Sequence, residues 1–175
     1  LFSNESPIAT AAVLNSYTYD FVARARCGGL HLNYFVIEET PLVSRASAAA
    51  LMAGGLALSW APSLAPLLTE EREHGSLRGA LTRHERLRLR CILDAIVAAL
   101  YGLSRDDLRW ILRDCDHPKE RVTNRDFART LDPKGFWRVD KDEDPKLRHT
   151  VLTLVAFDAL DALIQQHHGN RDAGI

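Results

Sequence analysis

Apolar residues at Ile8, Ala12, Leu14, Phe21, Val22 and Ala25 recur near helical spacing. That spacing predicts a helix opened by Ser6-Pro7 and ended by Gly28-Gly29. The pattern then changes period. Leu30-His31-Leu32-Asn33-Tyr34-Phe35-Val36-Ile37 is short, aromatic and β-branched, and Pro41 stops it, which predicts a strand. Residues 45–60 are Ala-rich and read as a helix weakened by Gly54-Gly55. Pro62 and Pro66 mark a turn, and the charged stretch at 70–80 reads as a loop or frayed helix end.

The clearest element opens at Thr82. Thr82-Arg83-His84-Glu85 has the spacing of a capping box, in which the hydroxyl and the glutamate satisfy each other's end of the first turn. Leu89, Ile92, Leu93, Ile96, Val97 and Leu100 then form an apolar face, and Gly102 terminates the run. A second box, Ser104 to Asp107, begins a helix through Leu108, Ile111 and Leu112, closed by His117-Pro118. Asp132-Pro133-Lys134-Gly135 is a turn, and residues 136–139 read as a short strand or an ordered loop. Asp144-Pro145 introduces a last helix through Leu147, Val151, Leu154, Val155 and Leu163, ending near Gly169. The expected fold is mainly α with a minor β component, a helical domain with one or two short strands.

Composition adds limits. The 175 residues are 46% hydrophobic and 26% charged, the range of an ordinary globular domain. Net charge is -1, so the chain as a whole is not a basic coat for a duplex, although a basic stripe on one face stays open. Cys27, Cys91 and Cys115 are odd in number and have no CxxC spacing, which argues for reduced thiols and a cytoplasmic setting. No signal peptide or bilayer-length apolar run is present, so no membrane partner is expected. The chain begins at Leu1, which reads as a piece of something longer.

Catalytic signatures are missing. There is no Pro-Pro for an Asn/Asp-Pro-Pro-aromatic base-holding motif, and no Pro-Asp followed by Glu-x-Lys for a magnesium nuclease. Asp140-x-Asp142-x-Asp144 starts like a calcium loop, but Pro145 stands where glycine is needed and Val151 where glutamate is needed. The seven histidines follow no catalytic or metal-ligating order. No catalytic residue, metal or cofactor is assigned to this chain.

The arginines leave two readings open. Arg83, Arg86 and Arg90 share a helix face and suit a phosphate-contacting stripe, or a solvated face paired with Glu85 and Asp94. Arg24 and Arg26 precede Gly28-Gly29, as a phosphate contact would, or as an ordinary helix C-terminus would.

Three stretches, in chain order, resemble one family. Leu14-Asn15-Ser16, Phe21-Val22-Ala23-Arg24, Gly28 through Phe35 and Pro41 are similar to the end of the target-recognition domain in large restriction–modification adenine-N6 DNA methyltransferases of the type IIG and phage-defence kinds. Glu85 to Arg90, Leu93-Asp94-Ala95, Leu100 to Leu103 and Leu108 to Leu112 resemble the helical segment that follows in those proteins. Gly135 to Asp142, Asp144-Pro145 and Thr150 to Leu154 resemble their extreme C-terminus.

The resemblance implies a parent that methylates adenine in a specific DNA sequence with S-adenosylmethionine, with or without a fused nuclease, from catalytic motifs upstream of Leu1. Residues 1–43 would end the recognition domain, and residues 44–175 would be a C-terminal helical region packed on it as one compact unit. The expected partners are double-stranded DNA, through the parent, and the upstream methyltransferase domain. Base-reading residues vary with target in this family, so it assigns none. The candidate DNA-contacting set is Arg24, Arg26, His31, Asn33, Arg83, Arg86 and Arg90. The acidic Glu38-Glu39 before Pro41 departs from the family's pattern and argues against a backbone contact by that loop. The alternative is a structural or interaction domain of the same parent that never touches DNA.

Overall fold

The computed structural model describes residues 7–27, 32–43, 48–59, 82–167 and 169. They form a helical assembly in which α1 (Pro7–Leu14), α2 (Tyr17–Arg26), α3 (Tyr34–Glu39) and α4 (Ala48–Ser59) precede a long α5 (Arg83–Leu100). Shorter helices follow: α6 (Arg105–Ile111), α7 (Lys119–Thr123) and α8 (Arg125–Ala128). The long α9 (His149–Gln166) comes last among them.

The organising element is α5. Both boxes foreseen in the sequence form: Thr82 Oγ1 accepts from the Glu85 amide at 3.1 Å while Glu85 reaches back, and Ser104 and Asp107 do the same for α6. Gly102, at φ 77°, ends α5 in a left-handed turn. Its amide donates to Ala99 and that of Leu103 to Ala98, satisfying two carbonyls that the helix end would otherwise orphan. Burial on α5 is wider than one stripe. Cys91 and every residue from Leu93 to Ala99 are buried, because α9, α4 and α2 pack around its C-terminal half. Each fully buried branched aliphatic there contributes about 1.5–3 kcal/mol, against roughly 1 kcal/mol for a cap. Burial therefore outweighs the caps, which fix where the helix begins.

Gly54 and Gly55 are not a flaw in α4. A Cβ on Gly54 would stand 2.8 Å from Leu93 Cδ2, and one on Gly55 would stand 2.7 Å from Ile8 Cγ2. The two glycines let α4 fit closely between α1 and α5, which outweighs their roughly 1 kcal/mol helix penalty each.

The run read as one helix to Ala25 is two. Ser16 breaks it: its hydroxyl donates to Val13 O at 2.7 Å and accepts from the Tyr19 amide at 3.2 Å, capping α2.

No strand is present among the described residues, which corrects the β component expected from sequence. Residues 34–37 of the expected strand belong instead to α3, and Thr40 closes it with amide and hydroxyl bonds to Val36 O. Residues 136–138 make a 3-10 turn, with Val139 N–H donating to Phe136 O. With no neighbouring strand among the described residues, β-favouring side chains have no described backbone partner, and a helical turn satisfies the backbone locally. The foreseen turn at Asp132 does form: Asp132 O accepts from the Gly135 amide and from Trp137 Nε1. The last helix starts at His149, later than Asp144-Pro145, which instead caps a 3-10 turn over Pro145–Leu147. The turn and charged stretch read between Pro62 and residue 80 lie outside the described residues. One contiguous apolar core runs from Ala9 through α5 to Ile164, across the boundary drawn at residue 43.

Candidate functional site

The break at Ser16 positions a site. It frees the Tyr17 amide from α1 and aims it at Asp94 Oδ1, 2.8 Å away on α5. Asp94 is only 5% exposed, and its other oxygen, Oδ2, lies 2.8 Å from His149 Nε2 at the start of α9. That second approach lacks the alignment of a hydrogen bond, since Nε2 is buried with no partner in good hydrogen-bond geometry. On the far side of the ring, Nδ1 sits 3.0 Å from the Tyr17 hydroxyl. A proton on Nε2, facing the carboxylate, leaves Nδ1 to accept from the phenol. Burial first, then the charges of Asp140 and Asp94, push the Tyr17 pKa far up, so the phenol stays a donor.

The network limits the chemistry. Both nitrogens of His149 face protein groups, so this ring has no free lone pair for a substrate. The Ser16 hydroxyl donates to Val13 O. Cys91, whose pKa burial raises to about 11, and Cys115, raised by burial to about 12, are thiols and poor nucleophiles. No group of three His, Cys, Asp or Glu that could hold a metal occurs among the described residues.

Beside this network lies a cleft of about 390 Å³ between α1, α4 and α5. Ile8, Ala12 and Leu58 give it an apolar wall, and Arg86 and Arg90 a cationic one. Arg86, Arg90 and Asp94 stand four residues apart on one face of α5, so a single helix aligns them. The pairing of Arg90 with Asp94 allowed by spacing does not occur; Asp94 turns inward to Tyr17 and His149. Arg83, Arg86 and Arg90 make no ion pair with any described residue.

The remaining candidates are elsewhere. Arg24 holds Asp20 through Nε (2.8 Å) and Nη2 (2.6 Å), gives Nη1 to Lys134 O at 3.0 Å, and lies 4.5 Å over the Phe136 ring. Its guanidinium joins α2 to the turn at residues 134–136. Arg26 faces Glu39 at 3.6 Å, so an acid of α3 offsets a candidate cation. Asn33 is exposed at the N-cap of α3, with no capping bond from its side chain. His31 lies outside the described residues. The structure thus brings Arg86 and Arg90 together in one cleft, with Arg83 one turn away, and leaves Arg24, Arg26 and Asn33 apart from it.

Sequence reasoning missed Tyr17 and His149. A Ser N-cap after Asn15 was the available signal for the break that orients Tyr17. Nothing local links either residue to Asp94, since 77 residues separate Tyr17 from it.

The acidic loop is structural. Asp140 accepts from the Thr150 amide at 3.2 Å and hydroxyl at 3.1 Å, tying it to the first turn of α9, and Asp144 caps the 3-10 turn through Lys146 N–H. No helix among the described residues is long and apolar enough to cross a membrane. Comparison with family models, with curated proteins and with solved structures finds no match to this chain.

Proposed function

We propose that this chain is the C-terminal part of a restriction–modification adenine DNA methyltransferase, and that it contacts target DNA through the phosphates and performs no chemistry itself. The observation that carries the reading is the row Arg83, Arg86 and Arg90, three cations on one helix face with no ion pair to a described residue. A guanidinium row with no described acidic partner matches the spaced charges of a nucleic-acid backbone. Further support comes from packing. The family-like stretches meet around Tyr17, which stacks edge-on against Phe136 at 4.9 Å and bonds Asp94. Methyl transfer and S-adenosylmethionine belong to the parent's upstream domain in this proposal.

The test is a titration of labelled duplex with the folded chain at about 50 and 200 mM salt. Three phosphate contacts give a log–log slope near −2.7, hence roughly a 40-fold loss of affinity across that range. Replacing any one arginine by Ala should reduce the slope by about 0.9. A folded sample that binds at neither salt concentration defeats the reading.

One observation favours a bracing role without DNA contact: Tyr34 and Phe35 are 71% and 55% exposed on a chain of net charge -1, which suits docking onto a protein. Under that role, the triple substitution of Arg83, Arg86 and Arg90 by Ala leaves DNA affinity of the parent unchanged.

A further inference from the structure

The cleft beside α5 has a character of its own, separate from a duplex lying along the helix. Its volume of about 390 Å³ falls within the span of small-molecule sites, roughly 300–1,000 Å³. Arg86 is half-buried and Arg90 exposed, one helical turn apart, and both line the cleft. Among the described residues the one carboxylate that lines it is Asp94, which is occupied by the Tyr17 amide and His149 and is 5% exposed, and neither guanidinium has an ion pair with a described residue. Among the described lining residues one engaged acid faces two arginines, which disfavours a cation. A neutral apolar guest would strip water from both guanidinium groups without replacing those bonds. What the walls do match is an anion with a carbon body. Two forked donors hold the anion, and Ile8, Ala12 and Leu58 cover the body.

We infer that this cleft binds a phosphate ester, its phosphoryl oxygens shared by Arg86 and Arg90 and its body against the α1–α4 wall. The phosphate comes either from a free nucleotide or from a nucleic-acid backbone. A backbone source extends the contact proposed above, whereas a free-nucleotide source stands without it.

The whole chain is titrated by calorimetry with AMP, with adenosine as the phosphate-free control, and in parallel with duplex DNA. Proton NMR of the His149 ring, which borders the cleft, reports occupancy. AMP is expected to bind saturably, to shift His149, and to outbind adenosine by at least roughly tenfold, as loss of a charge-assisted phosphate contact implies. Arg86→Ala or Arg90→Ala should each weaken AMP by about tenfold, while Arg105→Ala, whose side chain pairs with Asp158 on the surface, should not. Ala11 is exposed and lines the cleft, so Ala11→Trp fills it and should abolish binding; Arg90→Glu is a second block that adds no bulk. If duplex alone binds, and both blocks remove it, the phosphate is that of nucleic acid and the cleft stands. Binding of neither ligand overturns the inference, as does binding that survives both blocks. Duplex binding that survives Ala11→Trp yet needs Arg83, with no AMP binding, refutes the cleft and leaves the helix-face reading intact.

Discussion

Arg148 is 0% exposed, yet no acidic side chain lies within ion-pair distance of it among the described residues. Its charge is met by backbone dipoles. Nε donates to Glu143 O at 3.0 Å, Nη1 to Cys115 O and His117 O at 2.7 Å each, and Nη2 to Lys141 O at 3.1 Å. The residue therefore pins the segment between α6 and α7 and the acidic loop to the start of α9. Arg148→Met fills similar space but leaves four carbonyls without their donors. Hydrogen bonds to a charged group are worth about 1.5–3 kcal/mol each. Removing the desolvated charge offsets part of that, so the net loss should be about 3–5 kcal/mol, as for other broken buried charge networks. At roughly 2–4 °C per kcal/mol for a chain this long, the melting temperature should fall by about 6–20 °C. Arg148→Lys keeps the charge, but one ammonium has three donors for four separated acceptors, so it should recover only part of the loss. Arg138→Met is the control: Arg138 is exposed, 5.1 Å over the Trp137 ring, and should cost under about 1 kcal/mol. Urea and thermal melts by circular dichroism measure all three. If Arg148→Met lies within about 1 kcal/mol of the parent chain, the carbonyl cage is not what orders this corner.

Two further outcomes follow from the packing and from the buried thiols. Gly55→Val drives a branched side chain into Ile8, so the α1–α4 contact should lose about 1–3 kcal/mol despite valine's better helix propensity; unchanged denaturant midpoints would contradict the close-packing account. Cys91 and Cys115 hold their protons to about pH 11 and 12 when folded, against roughly 8.5 unfolded, because burial disfavours the thiolate. Above about pH 8.5 the unfolded state binds fewer protons than the folded one, so stability should fall with rising pH toward 11–12. Cys91→Ala should flatten that alkaline slope in pH-dependent urea melts, and an unaltered slope would remove the thiol from the explanation.

The sequence alone settled what depends on neighbours a few residues apart. The boxes at Thr82 and Ser104, the stop at Gly102 and the turn at Asp132 all form where their side chains foretold, because each is closed by bonds spanning two to five residues. The helical class was legible for the same reason. The arginine face of α5 could be read as a face, but not whether acids would neutralise it. That depended on Asp94, and Asp94 answers to Tyr17 and His149, 77 and 55 positions away. Only the tertiary structure decided such long-range matters. It made a β-prone stretch into α3, with no strand beside it among the described residues, made Gly54-Gly55 a contact surface instead of a weakness, and buried Arg148 among carbonyls. Local bonds select an element, but its partners are chosen by burial and by satisfying polar groups that meet only when the chain closes on itself.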